Sequence, residues 1–463
     1  MGFLVNASRI QSRRMAVSGT PMRTHPREGA RSAVLAIGLT LCSFQAPDEP
    51  AVNESLPNIV VIVADDMGYR DLGCYGGTDL ETPHIDSLAA EGVRLLQATV
   101  ASPVCAPMRA GLLTGRYPAR YGYETYSGAI EKQIRRDNGV STDEILLPEV
   151  LKECGYRTAA IGKWHLGMNP KYRPLRRGFD HFFGFLSGGH DYYQWDEPPH
   201  GPEGGPILRD DEEVHGEGYL PAAFTEEAVG FLRNSPRPFF LYLAYPNPHY
   251  PFQAPEEFWP ERTEDVRRDQ AVAMMQALDH EVGILLDGIR EAGIEENTLV
   301  LFVNDNGSPY ERMNAPFRGR KGTLLEGGVR VAFLAKWPGH LPSGATFDAP
   351  ATQLDIFPTC VQAAGGELPA DREYDGVDLL PFLRGEESGS PHDELFWRFQ
   401  GSYAMRRGDH KLLLDPSGAA SLWNLVADPG ESNDLAPEHP DLVASMRKAL
   451  HAWEARMLED RDR

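Results

Sequence analysis

Four short apolar runs constrain the fold of this chain more than any other feature of its sequence. Each is too short for a typical helix and is typical of a strand that is buried on both faces of a sheet. The runs cover residues 59–64, 158–162, 239–245 and 299–303. Helical patterns lie between them at 86–91, 147–154 and 270–292. Strands that alternate with helices predict an open α/β sheet flanked by helices.

The pattern changes after about residue 391. Short strand-like pieces follow at 395–398, 403–406 and 411–414, and residues 442–457 have a helical period. We therefore predict a large α/β domain over 57–390 and a C-terminal subdomain over 391–463, made of an antiparallel sheet and a closing helix. The acidic stretch 196–218, rich in proline and glycine, predicts a surface loop.

The N-terminus has the composition of an export signal. Several arginines precede an apolar run at 32–41, which is too short to span a membrane, and polar residues follow it. We predict that residues 1–46 direct export to the periplasm or beyond, with no membrane span; the alternative is a short uncleaved anchor.

The formal net charge of −22 argues against nucleic acid as a partner.

The segment that begins at Cys105 is the most specific motif. Pro107 and Arg109 follow at alternate positions, and Leu113-Thr114-Gly115-Arg116 closes the segment. Pro107 suits the first turn of a helix, which puts Cys105 at or just before a helix N-terminus, where anions are favoured. Arg109 lies one turn further on the same side. The plain alternative is a buried structural cysteine with Arg109 on a solvated face.

Polar side chains follow each of the four predicted strands, where sites form in open α/β sheets. They are Asp65 and Asp66, Lys163 and His165, His249, and Asp305 and Asn306. Taken singly, adjacent aspartates often cap turns, and a lone histidine is usually a core residue. As a set, the aspartates and the asparagine offer only oxygen ligands, which suit Ca²⁺ or Mg²⁺ better than Zn²⁺.

The order of these motifs resembles that of the type I sulfatases, the formylglycine-dependent family of arylsulfatase A and N-acetylgalactosamine-6-sulfatase. The similarity extends through 162–167, 318–323 and 326–331 and covers the chain from about residue 57 to its end. It implies an alkaline-phosphatase-like fold and hydrolysis of sulfate monoesters. It also implies that a formylglycine-generating enzyme converts Cys105 to formylglycine (3-oxoalanine). The metal would be Ca²⁺, with Mg²⁺ possible, held by Asp65, Asp66, Asp305, Asn306 and residue 105.

The same resemblance implies a role for each remaining residue. Hydrated formylglycine at 105 would attack sulfur and Arg109 would hold it in place. Lys163, Lys321 and His249 would stabilise the sulfate oxygens, and His249 or Lys321 would protonate the leaving alcohol. His165 would be the base that releases sulfate.

The substrate is predicted to be a sulfated carbohydrate or a small sulfate ester. Ser187 matches a sulfate-contacting serine of the family, although a plain loop hydroxyl explains it equally well. His190 belongs to an aromatic segment that suits a sugar ring, and Arg318 could bind a neighbouring anion.

Two other functions stay open: a phosphatase or phosphodiesterase of the same superfamily, and a non-catalytic glycan-binding protein with an unconverted Cys105.

Overall fold

The computed structural model describes residues 56–124, 137–196 and 205–461. Within these ranges the chain forms a ten-stranded sheet flanked by helices and a separate four-stranded sheet. The predicted α/β architecture is therefore confirmed. The predicted export segment, residues 1–46, lies outside the described residues. Among the described residues, no helix is long and apolar enough to cross a membrane.

The large sheet is mixed and has the strand order β10-β2-β9-β8-β1-β7-β3-β4-β5-β6. Strands β8, β1, β7, β3 and β4 are parallel, whereas β9, β5 and β6 run antiparallel to their neighbours. The bounds are β1 Asn58–Ala64, β2 Val93–Thr99, β3 Arg157–Lys163, β4 His181–Phe185, β5 Ile207–Arg209, β6 Glu212–Val214, β7 Phe239–Ala244, β8 Thr298–Asn304, β9 Phe333–Lys336 and β10 Ala345–Thr352.

The four predicted apolar runs are the central strands β8, β1, β7 and β3. Every residue of β1, β7 and β8 is buried, as is all of β3 except Arg157. Alternate residues of β1 enter two different cores: Val61 packs on one face of the sheet and Ile62 on the other. Burial on both faces explains why these strands are continuously apolar.

Helices cover both faces of the large sheet. The three predicted helical patterns correspond to Pro83–Ala90, Leu147–Glu153 and Val266–Glu291. The others that accompany this sheet are Cys105–Thr114, Leu220–Asn234, Glu326–Val329, Ile356–Ala363 and Leu380–Leu383.

The stretch 196–218 is not only a loop, and this prediction was wrong in part. Strands β5 and β6 form a hairpin within it and extend the sheet beyond β4. Asp210 takes a positive φ of 58° at the turn, as tight hairpin turns require. Every residue of β6 is exposed or only partly buried, so the strand has no apolar run that could signal it.

The C-terminal sheet is antiparallel with its strands in chain order, and the predicted elements are confirmed. Its strands are β11 Glu394–Phe399, β12 Ser402–Arg407, β13 His410–Leu414 and β14 Ala420–Asn424. The helix Pro440–Arg461 buries Met446, Leu450, Trp453 and Met457 against the sheet, at the spacing of one helical face. Trp397 of β11 also joins the core of the large sheet. The domain boundary between 390 and 391 therefore stays a prediction and does not follow a break in the packing.

Candidate active site

The carboxyl ends of the four central strands meet at one edge of the large sheet. Asp65 and Asp66 follow β1, Lys163 ends β3, His249 follows β7, and Asp305 follows β8. The strands are parallel neighbours in the order β8-β1-β7-β3, so their last residues lie side by side. The structure thus brings together groups that lie as far apart in the chain as 65 and 305.

Lys163 lies at this edge as the last residue of β3, directly after a glycine that packs against β7. A Cβ atom on Gly162 would lie 2.0 Å from the carbonyl oxygen of Ala244 in β7, and Gly162 has a φ of 99°. Only glycine tolerates this position without strain. The next residue then places its Nζ 2.5 Å from Oδ2 of Asp65, with both side chains fully buried.

Cys105 is the first residue of the helix Cys105–Thr114, in agreement with the position predicted from Pro107. Three atoms lie within 4.8 Å of one another: Sγ of Cys105, one carboxylate oxygen of Asp65 and one carboxylate oxygen of Asp305. One turn along, Arg109 is fully buried, and its Nη2 lies 2.8 Å from Oδ2 of Asp305 and 3.6 Å from Oδ2 of Asp65. Arg109 therefore faces the carboxylates, and the alternative of a solvated arginine is excluded.

Asp66 is held in a strained backbone conformation, with a φ of 65°. Its Oδ1 accepts hydrogen bonds from Nζ of Lys321 at 2.5 Å and from Nδ2 of Asn306 at 2.7 Å, and its backbone N–H donates to Oδ1 of Asp305 at 3.1 Å. Nζ of Lys321 also lies 4.0 Å from Sγ of Cys105. Strain of this kind persists where the surroundings over-determine it, and it concentrates at functional sites.

The two imidazoles lie beside this cluster. Nε2 of His249 is 3.7 Å from Oδ2 of Asp66, and its Nδ1 lies 2.6 Å from the carbonyl oxygen of Tyr250. His165 also has a positive φ, 60°, and its ring packs so closely on Gly188 that a Cβ there would lie 2.7 Å from Nε2. The glycine is therefore needed for the imidazole to occupy its position.

Two oxygen atoms in the cluster are buried without a hydrogen-bond partner among the described residues: Oδ1 of Asp65 and Oδ1 of Asn306. Buried polar atoms nearly always have a hydrogen-bond partner, so two buried oxygens without one in the same cluster indicate that a ligand belongs there. Oxygen donors from three carboxylates and one amide form the ligand set that hard divalent cations take. The residues present therefore fit Ca²⁺ or Mg²⁺.

The pKa values of the cluster are strongly perturbed. Burial and the charge of Asp65 raise the pKa of Asp305 to about 7, although Arg109 opposes the shift. Burial opposes ionisation of Asp66, but Lys321 and His249 hold its pKa well below the usual value. An added cation would relieve the repulsion among the three carboxylates.

The cationic groups are perturbed in opposite directions. Burial and the charge of Lys163 lower the pKa of His249 to about 4, despite the opposing charge of Asp66. The pKa of His165 is likewise far below its ordinary value because of burial and the charges of Lys163 and Arg109. Burial disfavours the charged amine of Lys321, yet the charge of Asp66 raises its pKa above the usual value. At neutral pH, the two histidines are thus neutral and the lysine is protonated.

The three predicted substrate contacts differ in where they lie. Ser187 belongs to the same tight segment as Gly188, beside His165, and its hydroxyl donates to the carbonyl oxygen of Gly189 at 2.9 Å. His190 is buried, with its ring nitrogens 2.7 Å and 3.0 Å from backbone oxygens of Asp191 and Gly205.

Arg318 is exposed, and its guanidinium lies over the ring of Trp423 in β14, 5.4 Å from the centroid. Within the described part of the chain, the hydrogen bonds of His190 and the aromatic contact of Arg318 are to residues outside the carboxylate cluster.

The sequence analysis missed one residue that shapes the cluster. Asn304, the last residue of β8, is buried and bonds both backbone groups of Met67, with Oδ1 accepting from N–H at 3.1 Å and Nδ2 donating to the carbonyl at 2.6 Å. It therefore supports the turn that carries Asp65 and Asp66. A polar residue that ends an otherwise apolar strand was the available signal.

Known proteins with the same architecture identify the family. The Sulfatase family model matches residues 57–366. Human arylsulfatase A is 36% identical to this chain over 85% of the chain and 82% of the relative, and mouse steryl-sulfatase is 31% identical over 94% and 88%. The crystal structure of Ps i-CgsB superposes with a TM-score of 0.81 at 34% identity, and the match covers 87% of this chain and 93% of the other. The chain therefore belongs to the sulfatase family and is a hydrolase of sulfuric esters.

Proposed function

We propose that this sulfatase cleaves sulfate monoesters with a formylglycine formed from Cys105 and a Ca²⁺ ion bound beside it. One observation carries the proposal: Cys105 begins a helix within 4.8 Å of Asp65 and Asp305, in a cluster that also contains two unpartnered buried oxygens. A structural cysteine would not require three carboxylates and three cations around it. The proposal includes a formylglycine-generating enzyme as a partner during maturation.

The metal ligands would be Asp65, Asp66, Asp305 and Asn306, together with residue 105. Bound calcium would offset the negative charge of the carboxylates and polarise a sulfate oxygen. Mg²⁺ is the alternative ion for the same oxygen ligands.

The nucleophile requires positioning and a proton acceptor. Hydrated formylglycine supplies a hydroxyl group at residue 105. Arg109 holds Asp305 by its 2.8 Å ion pair and thereby fixes a carboxylate oxygen near this group. Asp305 would accept the proton of this hydroxyl group as it attacks sulfur. His165, neutral because of its low pKa, would take the later proton that allows sulfate to leave.

We propose Lys321 as the donor to the leaving oxygen. Because a carbonyl oxygen only accepts, Nδ1 of neutral His249 carries the proton that bonds Tyr250, and Nε2 faces the site as an acceptor. Lys321 keeps its protons at neutral pH and lies between Asp66 and Cys105. Lys163 would then bind and stabilise the sulfate oxygens, and His249 would do so only in a form that carries a proton on Nε2.

A leaving-group series tests the donor. Lys321→Ala should lower kcat far more for alkyl sulfates than for 4-nitrophenyl sulfate, because a poor leaving group depends on protonation and a good one does not. His249→Ala should lower both by a similar factor. If the His249 variant shows the steep dependence instead, the assignment of the donor is reversed.

A maturation experiment tests the nucleophile. The protein is made with and without a formylglycine-generating enzyme, and the peptide that contains residue 105 is examined by mass spectrometry. We expect sulfatase turnover to follow the converted fraction. Full turnover by protein that retains an unmodified thiol at 105 would refute the proposal.

Sulfated carbohydrate is the substrate class that we propose. One support is the similar Ps i-CgsB, which is also described in complex with k-i-k-neocarrahexaose and superposes there with a TM-score of 0.79 at 34% identity. Ser187 is the proposed substrate contact next to the imidazoles. The roles of His190 and Arg318 stay predictions, and activity assays of His190→Ala and Arg318→Ala on sulfated oligosaccharides would test them.

Export completes the proposal, since substrates of this kind lie outside the cytoplasm. Residues 1–46 would direct the chain to the periplasm or the medium and be removed. N-terminal sequencing of the exported protein tests this, and a mature protein that still begins before residue 46 would contradict removal.

A further inference from the structure

A cavity of about 340 Å³ opens next to the catalytic cluster. Asp66 and Lys321 of the cluster are among the residues that line it. Its size is at the lower end of the range for small-molecule sites, which is enough for one ring of a substrate. Any ester whose sulfate reaches Lys321 must place its leaving group near this cavity.

Aromatic side chains form one continuous wall of the cavity. Tyr250 and Phe252 have ring centroids 5.9 Å apart, and Phe252 and Tyr310 have centroids 6.1 Å apart. Arg267 lies over two of these rings, 5.3 Å from the centroid of Phe252 and 5.8 Å from that of Tyr310. Arg267 is exposed and is not one of the described residues that line the cavity, so its cation–π contacts with Phe252 and Tyr310 are its link to the wall.

The cavity has almost no charge of its own. Among the described residues that line it, the only charged side chains are Asp66 and Lys321, and these are already paired at 2.5 Å. The other walls include Pro248, Pro309 and Met313. A second anionic group on the ring would therefore be removed from water without a free cation to pair with, which is costly.

We infer that this cavity selects an uncharged ring that carries a single sulfate, and that Tyr250, Phe252 and Tyr310 are its specificity-determining residues. The inference rests on the proposed function of the adjacent site. A neutral sugar and an aryl group share the required chemistry, since each presents an apolar face to an aromatic wall. A ring with a carboxylate or a second sulfate is disfavoured, because the one cation among the described lining residues, Lys321, is paired with Asp66.

Matched sulfate esters test the charge selection on the converted full-length enzyme. 4-(Sulfooxy)phenylacetamide and 4-(sulfooxy)phenylacetate differ in charge but hardly in leaving ability. We expect kcat/KM to favour the amide by about tenfold or more, a factor typical of one unfavourable group in a specific pocket. A methyl galactoside monosulfate and its disulfated counterpart form a second matched pair. The kind of ring, aryl or sugar, is identified by which of the two neutral-ring esters has the higher kcat/KM.

Variants of the wall test the assignment of the residues. Phe252→Leu and Tyr310→Ala should raise KM for the neutral ester by about tenfold with little change in kcat, because they remove binding that is equal in the ground and transition states. Tyr310→Phe keeps the ring and should keep the KM. Trp259→Ala, an exposed tryptophan outside the cavity, is the matched control.

The outcomes separate this inference from the proposed function. If the enzyme turns over both members of each pair equally, or if the wall variants leave KM unchanged, the selection is refuted while the sulfatase mechanism stands. If enzyme with formylglycine confirmed by mass hydrolyses none of the four esters, the proposed function fails, and the inference fails with it.

Discussion

At the scale of single residues, the chemistry of this protein depends on what residue 105 becomes. A thiol at the start of a helix beside Arg109 is an ordinary nucleophile, whereas formylglycine is an aldehyde that hydrates to two hydroxyl groups. The carboxylates, lysines and imidazoles around it are the same in both cases. Under the proposed mechanism, replacement of this residue alone separates the first chemical step from the second.

Cys105→Ser should trap a covalent sulfated enzyme. A serine hydroxyl can attack sulfur, but it lacks the second hydroxyl that is needed to expel sulfate, so the intermediate accumulates. Intact-mass measurement after incubation with substrate should show one added sulfate group, located at residue 105. Cys105→Ala is the control and should stay unmodified. A Cys105→Ser enzyme that turns over repeatedly would contradict this mechanism.

Asp65→Asn should abolish stabilisation by calcium. If the parent protein binds Ca²⁺ as proposed, a concentration of one hundred times Kd should stabilise its folded state by about 2.7 kcal/mol. The variant removes the charge of a proposed ligand whose Oδ1 has no hydrogen-bond partner among the described residues, and it also removes the ion pair with Lys163. Thermal unfolding with and without Ca²⁺ and titration calorimetry measure the effect. Asp348→Asn, an exposed acidic control, should leave the calcium response intact. An equal rise in Tm for Asp65→Asn and the parent would exclude Asp65 as a ligand.

At the scale of elements, the C-terminal sheet is joined to the catalytic edge by a buried ion-pair network. Nζ of Lys411 in β13 lies 2.7 Å from Oε1 of Glu326 and 3.1 Å from Oε1 of Glu431, and all three side chains are almost completely buried. Glu326 begins the helix Glu326–Val329, five residues after Lys321. Its backbone N–H donates to Oε2 of Glu431 at 2.7 Å. The network thus links β13 to the segment that carries Lys321.

Lys411→Met should destabilise the protein by about 3–5 kcal/mol, the cost of breaking a buried ion pair by removing one partner. The reason is that Glu431 is fully buried and loses its cation, so it must either stay charged without a partner or take up a proton, which burial already favours by raising its pKa. Denaturant unfolding measures the change in the free energy of unfolding. Lys448→Met, an exposed lysine on the helix Pro440–Arg461, should change it by less than about 0.5 kcal/mol. Adding Glu431→Gln to Lys411→Met should recover part of the loss, and failure to do so would argue against an orphaned charge as the cause.

At the scale of the whole molecule, His392 links the segment just before β11 to the large domain through an ion pair with Asp355. Its Nε2 lies 2.7 Å from Oδ1 of Asp355, just before the helix Ile356–Ala363. Burial disfavours the imidazolium, but the charge of Asp355 and its hydrogen bond raise the pKa of His392 above the ordinary value of 6.5. Since the folded-state pKa is raised, the contribution to stability is complete below pH 6.5 and is lost as pH rises through the folded-state value.

His392→Gln should therefore cost more stability in acid than in alkali. We expect a loss of about 1.5–3 kcal/mol near pH 5.5, the range for a hydrogen bond to a charged group. The loss should become smaller as pH is raised beyond the folded-state pKa, because the parent then also has a neutral imidazole. Denaturant unfolding at a series of pH values measures it. His439→Gln, at an exposed position, should show no such trend, and a loss that is the same at every pH would contradict an ionic contribution.

The sequence by itself determined the central strands and the polar residues that end them, because both are local patterns. Burial on two faces makes β1, β7 and β8 continuously apolar, and a polar residue at the end of such a run is visible without any tertiary information. The helix start at Cys105 also follows from local chemistry, since proline prefers the first turn. The sequence pattern did not predict β5 and β6, because two strands of three residues each, of which β6 is largely exposed, have no apolar period.

Only the tertiary structure decided how these residues pair and what they leave unpaired. The partner of Asp66 is Lys321, 255 positions away, and the partner of Asp65 is Lys163, 98 positions away; no local pattern encodes such pairs. The unpartnered oxygens of Asp65 and Asn306 and the aromatic wall of the adjacent cavity likewise arise from segments that meet only on folding. Residue types and their order are properties of the chain, whereas distance, burial and the resulting pKa shifts are properties of the packed molecule, and the chemistry of the site depends on both.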